Sequence, residues 1–180
     1  AISKKLVEEM GGTITFESEK GVGTTFVIRV PFKIDLDADK REESKDVSEK
    51  SIKGMHVLLA EDNELNMEIA EFLLQNEGAE VTKAWNGQEI VELFRKSESG
   101  EFDVILMDIM MPIINGYEAA KRIRSLDRED AKKIPIIAMT ANAFTEDRIR
   151  AKEAGMDEHV AKPIDVELLI KVIHKLVKHN

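Results

Sequence analysis

The chain has no cysteine among its 180 residues, which removes disulfides and thiolate chemistry. No apolar run approaches the ~18 to 20 residues that a bilayer-spanning helix needs, so this stretch is expected to make no membrane contact. A cytosolic setting is expected, and a membrane-anchored parent protein is compatible with it. Positive charge is in deficit: Lys+Arg 26 against Asp+Glu 35 gives a net charge of −9. That balance disfavours nonspecific binding to nucleic acid through an overall positive field, and no nucleic-acid partner is expected. An initiator methionine and a signal-peptide layout are also missing, because Ala1 opens in mid-pattern; a piece of something longer is expected. What is present, 43% hydrophobic and 34% charged residues, suffices for one ordinary domain plus an appendage.

The appendage comes first. Ile2, Leu6, Val7 and Met10 recur at helical spacing, and Gly11-Gly12 supplies a stop. Polar and apolar residues then alternate over 13–17 and 24–30, with Glu19-Lys20-Gly21-Val22-Gly23 as turn material between them. Gly21-Val22-Gly23 lacks the glycine spacing and the Lys-Ser/Thr pair of a phosphate loop, so a hairpin turn is the better reading. A helix and two strands cannot enclose a core of their own. Residues 35–53 alternate acids, bases and serines with almost no large apolar side chain, a composition that reads as a linker.

From Met55 short apolar runs alternate with amphipathic stretches, which argues for βα units wound into a parallel sheet. Strands are expected over 55–60, 80–84, 102–107, 134–139 and 158–161, and helices over 66–76, 87–96, 116–125, 145–154 and 166–178. Val104-Ile105-Leu106-Met107 has no polar alternation, as suits a strand buried on both faces, and it ends abruptly in Asp108. Parallel strands point the same way, so Glu61 and Asp62, Asp108, Thr140 and Lys162 converge on one sheet edge, where ligands of such sheets bind. Clustered carboxylates repel unless a cation neutralises them, and a hard divalent ion, most naturally Mg²⁺, answers that requirement. Thr140 also suits an N-cap for the helix that follows. The final helix carries Leu168, Leu169, Val172, Ile173, Leu176 and Val177, a stripe broad enough to cover the sheet and to leave room for dimerisation.

Two resemblances follow from these stretches. Ala1 to Gly12, together with Ser18-Glu19-Lys20-Gly21-Val22-Gly23-Thr24-Thr25-Phe26, resembles the closing segment of a histidine-kinase ATP-binding domain. The nucleotide motifs of that family lie upstream, so no ATP-binding residue is assigned and the kinase reaction is not expected of this stretch. Four elements resemble the receiver domain of response regulators and hybrid histidine kinases. These are Leu58-Leu59-Ala60-Glu61-Asp62-Asn63, Met107-Asp108-Ile109-Met110-Met111-Pro112 with Asn115-Gly116, Ala138-Met139-Thr140-Ala141-Asn142-Ala143, and Val160-Ala161-Lys162-Pro163.

The receiver resemblance implies a flavodoxin-like (βα)5 fold with a five-stranded parallel sheet in the order 2-1-3-4-5, preceded here by the helix and hairpin. It divides the chain into a kinase remnant over 1–33, a charged linker over 34–54 and a receiver over 55–180. It makes Asp108 the phosphoacceptor, fed by a histidine-bearing kinase or phosphotransfer domain. Asp62, Asp108 and the backbone carbonyl of Met110 become Mg²⁺ ligands, and Glu61 acts through bound water. Lys162 becomes the cation facing the phosphoryl group, Thr140 the switch hydroxyl, and the Lys162-Pro163 bond is expected to be cis.

Three positions tune that pattern. His159 stands where receivers usually place a Tyr or Phe, although a surface histidine ending a strand explains it equally well. Met110 and Asn142, each two residues beyond a site residue, flank the path of hydrolytic water by analogy, and an apolar Met110 cannot orient that water. Leu65, Asn66 and Ile69 are expected on the face that receives a partner helix. Two rival classes remain. An aspartate-nucleophile phosphatase of the haloacid dehalogenase type wants a second Asp two residues after the nucleophile, where Met110 stands. A noncatalytic receiver-like interaction module would not need the complete constellation.

Overall fold

The computed structural model describes residues 2–32, 51–140 and 145–177, which belong to two compact units, one at each end of the chain. In the first, helix α1 (Ile2–Glu9) precedes strands β1 (Thr13–Glu19) and β2 (Gly23–Arg29). The strands pair antiparallel with Ile14 opposite Ile28 and Phe16 opposite Phe26. Period-two alternation therefore stacks the apolar residues of both strands on one face, and the two phenyl rings meet with centroids 5.7 Å apart. Val22 N–H donates to the Glu19 carbonyl at 3.1 Å, so the glycine-flanked segment is a hairpin turn, as its composition suggests. Val7 is buried, yet Phe16 is 67% and Phe26 63% exposed.

The second unit is a parallel sheet built from β3 (His56–Ala60), β4 (Glu80–Ala84), β5 (Val104–Asp108), β6 (Ile136–Thr140) and β7 (Glu158–Ala161). Its order is β4-β3-β5-β6-β7, the expected 2-1-3-4-5. The connecting helices are α2 (Glu64–Asn76), α3 (Gly87–Lys96), α4 (Gly116–Arg124), the short α5 (Glu129–Lys133), α6 (Thr145–Glu153) and the final α7 (Val166–Val177). Alternate strand residues feed two cores. Leu58, Ile105, Met107 and Ile136 pack with Ile90 and Phe94 of α3 and Ile123 of α4. Val57, Leu59, Leu106 and Ile137 pack with Met67 and Leu74 of α2 and Leu169 and Ile173 of α7. Every residue of β5 and β6 is buried, which is why their sequences run apolar without alternation. Each buried Val, Ile, Leu or Met side chain there contributes on the order of 1.5–3 kcal/mol of transfer free energy.

Three helices start on asparagine. The side chains of Asn63, Asn86 and Asn115 accept from the backbone N–H groups of Asn66, Glu89 and Glu118, three residues on, and each satisfies one otherwise orphaned donor. Among the described residues no helix is long and apolar enough to cross a membrane.

Several expectations change. Strands β5 and β6 begin and end later than their apolar runs suggest, because Phe102 and Ile134 are buried outside the ladder. Asp108 and Thr140 thereby become the last strand residues instead of the first loop residues. The segment 141–144 between Thr140 and helix α6 lies outside the described residues. Helix α5 has too few residues to show a period in the sequence. Ile52, inside the stretch read as linker, is fully buried in the second core; linker residues 34–50 lie outside the described residues. In the final helix Leu168 faces out, while Ile170 takes a core position.

Candidate functional site

The strand register creates the site. Ala60 pairs with Met107, Asp108 with Met139, and Thr140 with Ala161, so the residues at and just beyond these strand ends share one edge of the sheet. The Glu61 N–H continues the ladder onto the Ala84 carbonyl at 3.1 Å, and the Lys162 N–H donates to the Thr140 carbonyl at 2.8 Å. Backbone bonds thus fix both residues before any side-chain interaction is counted. The Lys162-Pro163 bond is cis.

Carboxylate oxygens of Glu61, Asp62 and Asp108 lie within 4.8 Å of one another. Glu61 is 2% and Asp108 5% exposed, whereas Asp62 faces solvent. Lys162 Nζ donates to Asp108 Oδ2 at 2.9 Å and also to Glu61 Oε2. Burial pushes the Asp108 carboxyl above its ordinary value, and the hydrogen bond and charge of Lys162 only partly offset that. Burial pulls the Lys162 ammonium down, but its hydrogen bonds to Glu61 and Asp108 outweigh this and hold it above the usual lysine range. Three carboxylates face one ammonium. Oxygen-only donors with an excess of negative charge and one solvent-facing member suit a hard divalent cation that keeps part of its water shell.

The loop after β5 is tightly built. Met110 N–H donates to Asp108 Oδ1 at 3.3 Å, and the Met110 side chain is 78% exposed. Ile114 N–H donates to the Pro112 carbonyl at 2.9 Å while Ile113 sits at φ +71°. That is a γ-turn of the strained hand, held by a β-branched residue that seldom adopts it. Two glycines brace it. A Cβ on Gly116 would stand 2.2 Å from the Asp108 carbonyl oxygen, and one on Gly87 would stand 2.2 Å from the Ile114 carbonyl oxygen.

Thr140 is buried at the same edge. His159 pairs with Ala138, two ladder positions before the Thr140–Ala161 pair, and lines a groove of about 380 Å³ between α6 and β7 with Arg148, Ile149 and Met156; its Nδ1 lies 3.2 Å from Glu158 Oε1. Asn142 lies outside the described residues. Sequence reasoning missed two features: the Glu61–Lys162 pair, and the Asn66 Nδ2 donation to Glu61 Oε1 at 3.0 Å. For the second, the sequence put Asn66 near the pocket but gave no sign of its partner.

Residues 57–174 match the family model described as the response regulator receiver domain. This chain belongs to that family. The chain is 34% identical over 176 residues to the aerobic respiration control sensor protein ArcB of Escherichia coli, a match covering 97% of this chain and 22% of that protein. Hybrid signal transduction histidine kinase I of Dictyostelium discoideum is 40% identical over 120 residues, 66% of this chain and 7% of the relative. The chain therefore spans about a fifth or less of these relatives' lengths. Among solved structures, the receiver domain of the sensor histidine kinase PA1611 of Pseudomonas aeruginosa, with a magnesium ion coordinated in its active-site cleft, superposes with TM-score 0.62. That match has 34% identity and covers 69% of this chain and 98% of the other. The receiver domain of Ssk1 from Saccharomyces cerevisiae, solved with the histidine phosphotransfer protein Ypd1, gives TM-score 0.61 at 28% identity, covering 70% and 90%.

Proposed function

We propose that this receiver takes a phosphoryl group from a phosphohistidine onto Asp108, as one station of a phosphorelay within a hybrid sensor histidine kinase. The observation that carries this reading is the Asp108 carboxylate, buried at a strand end, bonded to Lys162 and backed by two more carboxylates. An Asp108 oxygen attacks phosphorus, the bond to the imidazole nitrogen breaks, and the imidazole leaves with that electron pair. Asp62, Asp108 and the Met110 carbonyl would hold Mg²⁺, with Glu61 acting through water, and a bound ion supplies charge neutralisation to the transferring group. Lys162, already on Asp108, follows its partner onto the phosphoryl oxygens and stabilises their charge without being recruited from solvent. Thr140, at the same edge, gives its hydroxyl to a phosphoryl oxygen and draws its loop along. His159 and Asn142 tune that switch and the lifetime of the product.

The phosphodonor docks over α2. Leu65, Ile69 and Phe72 are exposed there, along a helix that starts beside Asp62, and an apolar patch rimmed by polar groups suits a partner helix. We also read residues 1–33 as the closing segment of a kinase ATP-binding domain, 34–54 as linker and 55–180 as receiver. The ArcB match supports this by running through nearly the whole chain.

The test is exposure to acetyl phosphate with Mg²⁺, followed by intact mass. One phosphoryl group appears on the wild-type protein and none on Asp108→Asn. Multiple turnover of small phosphoesters would instead assign a phosphatase and overturn the proposal.

A further inference from the structure

Glu61 is the most enclosed acid of the site, and both of its oxygens are engaged. Oε2 takes the Lys162 ammonium. Oε1 takes the Asn66 amide at 3.0 Å and, at a long 3.4 Å, the Asn63 N–H. We propose that Asn66 is a positioning residue for phosphoryl acceptance: its amide orients Glu61 so that Glu61 holds the Lys162 ammonium against Asp108. The inference rests on reading Asp108 as the phosphoacceptor.

Asn66 is the third residue of α2, a position whose side chain commonly folds back to cap the helix. Here the Asn63 N–H that such a side chain would satisfy turns to Glu61 Oε1 at 3.4 Å, while Asn63 Oδ1 takes the Asn66 backbone N–H at 3.1 Å. The amide is thereby released to cross to the strand end. A buried carboxylate needs its donors, and without Asn66 the only neutral donor left to Oε1 among the described residues is the long Asn63 N–H. Glu61 then gains freedom to turn about its terminal torsion, and Lys162 loses its fixed point. Groups that orient a catalytic or metal-binding residue through one intervening side chain typically change affinity or activity by about 10–100-fold when removed.

Three substitutions separate this role from helix stability. Asn66→Ala removes the donor. Asn66→Leu keeps the shape and a good helix propensity but cannot donate, and Asn66→Gln keeps an amide. In the metal-free protein, NMR of the Lys162 ammonium reads its immobilisation directly. The signal is expected to persist in the wild type and Asn66→Gln, and to be lost to solvent exchange in Asn66→Ala and Asn66→Leu. With acetyl phosphate at saturating Mg²⁺, the latter two are expected to react about tenfold more slowly, while the melting temperature of Asn66→Leu holds. An unchanged ammonium signal, or wild-type rates in both donor-less variants, overturns the proposal. Wild-type protein that gains no phosphoryl mass would remove the Asp108 reading instead, and the ammonium signal would still test Asn66.

Discussion

Asp108 shows how a reactive residue works against the fold that holds it. Burial raises its carboxyl, so at neutral pH its ionised form costs folding free energy. Asp108→Asn is expected to melt a few degrees higher than wild type in metal-free buffer. The sign fixes the pH dependence. A carboxyl whose folded value lies above its unfolded value destabilises fully above the folded value and not at all below the unfolded one. The advantage of Asn should therefore vanish as the pH falls below the ordinary aspartate range, as thermal melts across pH would read. On the proposed function, Met110 acts at the opposite end of the cycle. Its exposed apolar side chain cannot orient water, so Met110→Asn is expected to speed loss of the phosphoryl group about tenfold or more, followed by intact mass after the donor is removed. Strand-end polar residues could be read from the sequence because an apolar run breaks abruptly at each. The Asn66 contact could not, since nothing local distinguishes an amide that faces solvent from one that crosses to a neighbouring element.

At the scale of elements, the end of α3 depends on one side chain from beyond α4. Arg128 donates to the carbonyls of Phe94, Ser97 and Glu98 at 2.6, 3.0 and 3.0 Å, and its guanidinium lies 4.7 Å from the centroid of the Phe94 ring. Asp130 receives the same group on both oxygens at 2.9 and 2.6 Å, which holds its carboxyl down at about 2. Arg128→Ala is expected to cost about 2 kcal/mol, measured by urea unfolding. Because the folded value of Asp130 is depressed, its share of that stability is present above the ordinary aspartate range and is lost as the pH falls through about 2. The gap between variant and wild type should narrow there. Helix and strand types were legible in this region, since runs such as Ile136-Ile137-Ala138-Met139 have no other good explanation. Their limits were less so: Phe102 and Ile134 extend the apolar signal without joining the ladder, and Ile52 looks like linker until the core closes over it.

Across the whole molecule, the two units differ in how well they bury themselves. The receiver encloses two cores, whereas the hairpin of the first unit leaves Phe16 and Phe26 in solvent, a pairing that favours self-association. Replacing both with Thr is expected to lower concentration-dependent association in sedimentation velocity and to leave phosphorylation of Asp108 unchanged. The stacking face itself was readable from alternation; its exposure was not, because alternation marks a face and says nothing of what covers it. Gly87 and Gly116 carry a different consequence, visible only if every position is varied in turn. Neither has a side chain, a charge or a proton to give, yet each occupies a space in which one added methyl group would strike a carbonyl of the segment from Asp108 to Ile114. A survey of all single substitutions should therefore find them as intolerant as Asp108, with alanine nearly as damaging as tryptophan. A map of lost function read as a map of chemistry would then name two residues that take no part in it.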